Sequence, residues 1–124
     1  MIFLFAGAVN AFIAVAMGSF AAHALDSHLD RLMMEVFKIG AEYQLAHALA
    51  LIAVSFLLKF WPKQKLLMIS GWAFLAGTIL FPFSLYALAL TGVGTLGAIT
   101  PLGGVAFLVG WVCLAIFALL NIKE

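Results

Sequence analysis

The sequence predicts an all-α fold: an integral membrane four-helix bundle with a short amphipathic segment between helices 1 and 2. Three observations predict it. Of the 124 residues, 67% are hydrophobic and 9% charged, with a mean hydropathy of +1.25, whereas a water-soluble domain runs near half apolar and a quarter charged. The charges are also segregated: across residues 1–25, 39–58 and 66–122 the only formally charged side chain is Glu42. Finally, a helix needs about 20 residues to cross about 30 Å of hydrocarbon. The uncharged stretches have room for four spans, at about 2–24, 39–58, 66–90 and 101–120, in one domain.

The first span places Gly7, Ala11, Ala14, Gly18, Ala21 and Ala22 on one narrow arc, with Phe5, Val9, Phe12, Ile13, Ala16 and Phe20 opposite. Small residues let helix backbones approach closely where lipid removes the hydrophobic drive. The small arc is expected against another helix and the phenylalanines against lipid. Asn10 borders the small arc, where its amide is expected to bond across an interface. Ala22-His23-Ala24 has the form of a signal-peptide cleavage site, but no basic region precedes the apolar run, so an uncleaved span is expected.

Residues 25–38 form the most polar segment. Leu29, Leu32, Met33, Val36 and Phe37 form one apolar stripe against a charged face, and Asp26 or Ser27 can cap the start. The pattern fits a short helix lying in the headgroup region or a solvated extension of the second span. That span puts Glu42, Ala46, Ala50 and Ala53 on one arc, flanked by Tyr43 and His47, with Leu45, Leu49, Ile52 and Phe56 opposite. Glu42 is therefore expected to point into the bundle, as intramembrane ionisable residues almost always do. Tyr43 and His47, four residues apart, are expected to touch.

A tight, lysine-rich loop follows, with Trp61-Pro62 combining an interfacial aromatic with a helix stop. In the third span Ser70, Gly77 and Ser84 recur at heptad spacing with Ala73 beside them, and Pro82 is expected to kink the helix. After a glycine-rich turn, Thr100-Pro101 reads as cap and first residue of the fourth span, whose small face is Ala106, Gly110 and Cys113. Residues 71–77 and 104–110 share the pattern G-x-A-F-L-x-G. In so apolar an alphabet chance explains that match more simply than an internal repeat does.

The segments GSFAAHALD (18–26), FKIGAEYQLAHALAL (37–51), SLYALALTG (84–92) and ITPLGG (99–104) together resemble a known family. It comprises small inner-membrane proteins of the YgdD type, related to transmembrane protein 256 and gathered as domain of unknown function 423. The resemblance implies a four-span protein of the bacterial inner membrane or of mitochondria, and no known activity. The sequence departs from the family pattern at Ala21, where glycine is usual, and at Pro82-Phe83, where small residues are usual.

The residues with chemistry to offer are Glu42, Tyr43, His47 and Asn10. Desolvated acid and imidazole groups can relay protons. Equally, Glu42 can bond across the bundle and lock its packing. A second group, His23, Asp26 and His28 with Asp30, offers nitrogen and oxygen ligands at a membrane surface, but without tight metal spacing or a cysteine partner; interfacial side chains account for it. No metal or cofactor is expected. Gly103 and Gly104 sit in the first turn of helix 4, whose amides could hold an anion or whose glycines simply allow close packing. No nucleophile triad, phosphate loop or cysteine pair is present, so catalysis is not expected. The net charge of +1 leaves no basic stripe for nucleic acid.

The partners expected are the lipid bilayer and a second membrane protein or second copy of the chain. Lysines at 59, 63, 65 and 123 outnumber Arg31 and Lys38 across the membrane, which places both termini in the cytoplasm. The leading functional expectation is a small membrane scaffold or accessory subunit. The alternative is a transporter or channel for protons or a small solute.

Overall fold

The computed structural model describes residues 1–122; Lys123, one of the four cations that set the orientation, lies outside them. The elements are α1 (Ile2–His23), α2 (Arg31–Phe60), α3 (Lys65–Thr91), a 3₁₀ turn (Gly94–Ala98) and α4 (Thr100–Leu120). Four helices are long and apolar enough to cross a membrane. Short connections make consecutive helices antiparallel neighbours. α1 packs on α2, α2 on α3 and α3 on α4 along their lengths, and α1 touches α3 more briefly.

The polar segment before helix 2 takes the second of its two readings. It is continuous with α2, whose 30 residues span about 45 Å against about 30 Å of hydrocarbon. Its first turns therefore project into the interface. The cap is neither Asp26 nor Ser27 but Asp30, whose Oδ1 accepts the Met33 N–H at 2.8 Å; residues 24–29 are spent in the preceding turns. At the far end Trp61 closes α2 and Pro62 blocks its continuation. Gln64 then caps α3 by accepting the Leu66 N–H at 3.0 Å. α3 runs unbroken through Pro82 and stops at Gly92, whose φ of +71° is the left-handed conformation glycine tolerates best. Thr100 is the first residue of α4 rather than its cap. Its hydroxyl instead meets Ser84 Oγ at 2.7 Å, tying α4 to α3.

The α3–α4 seam contains the two matching heptapeptides, and it gives them a shared purpose. A side chain at Gly77 would run into the Phe107 ring, and one at Gly110 would lie 2.5 Å from the Phe74 ring. Each motif's phenylalanine thus sits on the last glycine of the other, as two antiparallel copies of one pattern must. Ser70 adds a hydrogen bond to the Gly110 carbonyl at 2.9 Å. Buried Phe3, Leu51, Val54, Leu67, Phe74, Phe107 and Phe117 join all four helices into one core.

The α1–α2 pair follows the expected small arc only in part. At Gly7 an added Cβ would lie 2.8 Å from the Ala48 carbonyl oxygen, whereas at Gly18 it would meet nothing within 4 Å. Phe5, Val9, Phe12 and Phe20 face outward as expected.

Candidate functional site

Glu42 does not point into the bundle: it is exposed, and this overturns the orientation read from the sequence. The buried residues of α2 are Met34, Phe37, Gly40, Ala41, Gln44, His47, Ala48, Ala50, Leu51, Val54 and Ser55. Glu42 and Gln44 are two residues apart, about 200° around a helix, so only one can face inward. The neutral amide can be satisfied there by neutral partners, while a buried carboxylate would demand a compensating charge. The small-residue rule misled because α2 carries small residues on two sides: of the arc of Glu42, Ala46, Ala50 and Ala53 only Ala50 is buried, while Gly40, Ala41 and Ala48 lie on the inward stripe. Counted back from Lys59, Glu42 lies about 26 Å along the helix, close to the opposite boundary of the hydrocarbon. An exposed acid is tolerable at that depth.

Gln44, with no exposed surface, is the centre of a polar chain across three helices. Its Nε2 donates to Asn10 Oδ1 at 3.0 Å, and its Oε1 accepts from the Tyr86 hydroxyl at 2.7 Å. Asn10 passes the chain on, donating Nδ2 to the Ala6 carbonyl at 2.9 Å. Asn10 thus bonds across an interface as expected. Tyr86 is a partner that the sequence pattern does not reveal: it is one of two tyrosines in the chain, in a span that also carries hydroxyls at Ser70, Thr78 and Ser84. Gly40 makes room for its ring: an added Cβ would lie 2.9 Å from Tyr86 Cε1.

His47 is buried and set in an aromatic cluster. It stacks on Phe107 with centroids 3.5 Å apart and planes 9° from parallel, and it lies tilted against Phe74 at 5.7 Å. The ring therefore rests on both phenylalanines of the α3–α4 seam. Its hydrogen bonds specify the tautomer. The Trp111 indole N–H can only donate, and it does so to Nε2 at 3.0 Å. Nδ1 lies 2.7 Å from the Tyr43 carbonyl, which can only accept. The imidazole is thus neutral and carries its proton on Nδ1. Tyr43 and His47 do touch, and the half-exposed Tyr43 ring also stacks on Phe81 at 4.7 Å.

The four residues grouped by sequence are thus divided. Asn10 and His47 face inward into separate networks, while Glu42 and Tyr43 face outward. Among the described residues, no buried side-chain nitrogen or oxygen lacks a partner. The second group, His23, Asp26, His28 and Asp30, lies at the exposed turn between α1 and α2. There His28 Nδ1 sits 3.0 Å from the Ala24 carbonyl, and Asp30 is the helix cap. Gly103 serves close packing: an added Cβ would lie 2.5 Å from the Phe81 nitrogen.

Residues 17–104 match a family model described as protein of unknown function, DUF423. The chain belongs to this family. The DUF423 resemblance carried by the four sequence segments is thereby borne out. A relative from Bacillus subtilis, named UPF0382 membrane protein YwdK, is 40% identical over 117 residues, covering 94% of this chain and 95% of its own. UPF0382 membrane proteins of Staphylococcus saprophyticus (39% identical, 93% of this chain and 94% of theirs) and Haemophilus influenzae (41% identical, 87% and 86%) are similar along most of their length. No solved structure matches. The protein is accordingly a membrane protein of the DUF423 family. The matched stretch contains Gln44, His47, Tyr86 and the Ser84–Thr100 pair, whereas Asn10, Phe107 and Trp111 lie outside it.

Proposed function

We propose that this DUF423 protein is a small membrane scaffold or accessory subunit that associates with itself or another membrane protein through the open side of its α1–α2 pair. The observation that carries the reading is a groove of about 420 Å³ beside Gly18, floored by Ala14, Ser19, Ala22 and Ala41 and rimmed by Glu42 and His23. Small residues in a span serve close helix approach, yet Gly18 approaches nothing within its own chain. Glu42 offers a hydrogen-bond acceptor on the same surface. Meanwhile the interior polar groups are engaged with one another, which supports association over a solute path.

The protein resides in the bacterial inner membrane with both termini cytoplasmic. The lysines of the α2–α3 loop, set against Arg31 and Lys38 at the other end, support that orientation.

Purification from native membranes in mild detergent, followed by mass measurement, tests the reading. A stoichiometric oligomer or complex is expected, and Gly18→Leu should dissolve it while helicity measured by circular dichroism is unchanged. A clean monomer carrying no other protein would end the proposal.

A further inference from the structure

The structure carries a second outward-facing groove, at the opposite end of the α1–α2 pair. It is small, about 180 Å³, and lies between the start of α1 and the last turns of α2. Leu4, Ile52 and Phe56 make its walls apolar, and Ser55 and Lys59 bring a hydroxyl and an ammonium to it. Ser55 and Lys59 are four residues apart, so they stand one above the other on a single face of α2. Trp61, partly exposed two residues further on, marks the level of the headgroups.

Charge at this end is one-sided. Lys59, Lys63 and Lys65 cluster around the α2–α3 turn, and no acid accompanies them among the described residues. The opposite end holds Asp26, Asp30, Glu35 and Glu42 against Arg31 and Lys38. Three lysines at one membrane surface attract anionic headgroups, each strengthening the attraction about five-fold. The wider groove near Trp111 has no cation on its lining.

We propose that the groove at Lys59 binds an anionic phospholipid, with its phosphate on Lys59 and the Ser55 hydroxyl and one acyl chain along Leu4 and Phe56. The site is separate from the Gly18 groove and is independent of any protein partner. Its narrow apolar walls fit a chain, and Lys59, with Met1 also on the lining, lies at the depth where the phosphate of a membrane lipid sits. A free phosphate ion would use the lysine but not the walls.

The full-length protein in mild detergent, titrated with phosphatidylglycerol or phosphatidylcholine and read by native mass spectrometry, decides the matter. Phosphatidylglycerol is expected to be retained at least five-fold more than phosphatidylcholine. Lys59→Gln should cut that retention about five-fold, whereas Lys38→Gln, at the other end, should leave it unchanged. Phe56→Ala should weaken retention of long-chain but not short-chain phosphatidylglycerol, and excess inorganic phosphate should not strip the bound lipid. Equal retention of the two lipids, an unaltered Lys59→Gln variant, or displacement by inorganic phosphate would each overturn the proposal. Circular dichroism on each variant confirms that the helices are intact.

Discussion

The α3–α4 seam and the α1–α2 pair are built from the same residue types and end differently. In the seam, Gly77 and Gly110 each receive a phenylalanine from the facing helix, and Gly103 lies against the Phe81 backbone. In the α1–α2 pair, Gly7 lies against the Ala48 carbonyl while Gly18, three turns on, faces open space. A glycine filled by its neighbour is part of the fold. A glycine left empty in the same bilayer is a surface, and the difference cannot be read from the glycine itself. It depends on whether the opposing helix carries a ring or a carbonyl at the matching height.

The strongest way to break the contrast is to add one methyl group at each kind of site. Gly103→Ala would force a Cβ onto the Phe81 backbone, which cannot swing aside as a side chain can, and should destabilise the bundle by about 1–3 kcal/mol. Thermal unfolding in mild detergent would register it. Gln44→Leu should rank next, because it strands the Asn10 carbonyl oxygen and the Tyr86 hydroxyl. Intramembrane hydrogen bonds average about 0.6 kcal/mol and reach about 1.7, so two lost together should cost roughly 1–3 kcal/mol. Tyr86→Phe in that background should then add little.

Trp111→Phe removes one bond to His47 while keeping an aromatic, and about 0.6 kcal/mol is expected. Nitrogen NMR should find His47 protonated on Nδ1 in the wild type; a proton on Nε2 would contradict the bonding described above. The smallest effects belong to the open groove. Glu42→Gln and Gly18→Ala should each change stability by less than about 0.5 kcal/mol. A large loss from Gly18→Ala in the isolated protein would remove the contrast between the two helix pairs.

Much of the architecture was legible without coordinates. The four spans, the outward phenylalanines of α1, the Asn10 bond and the Ser70–Gly77–Ser84 seam all follow from length, charge segregation and helical period. The rotation of α2 was not legible. Its sequence carries small residues on two stripes, and the rule that an acid turns inward selected the stripe of Glu42. The repeated heptapeptide was similarly opaque, because a shared apolar pattern has meaning only when two helices are set antiparallel at the right height. Tyr86 went unremarked because nothing local distinguishes a tyrosine that anchors a buried chain from one that decorates a membrane interface.

Length, composition and charge segregation suffice for four spans long and apolar enough to cross a bilayer, and the sequence segments suffice for a place among the DUF423 membrane proteins. Hydrocarbon thickness and the cost of burying charge act on composition along one dimension, and that is enough for topology. Packing between the helices is what turns Gln44 rather than Glu42 toward Asn10 and Tyr86 and sets His47 on Phe107. Those outcomes depend on which neutral partners lie within hydrogen-bonding distance across helices, a three-dimensional coincidence that no single span encodes.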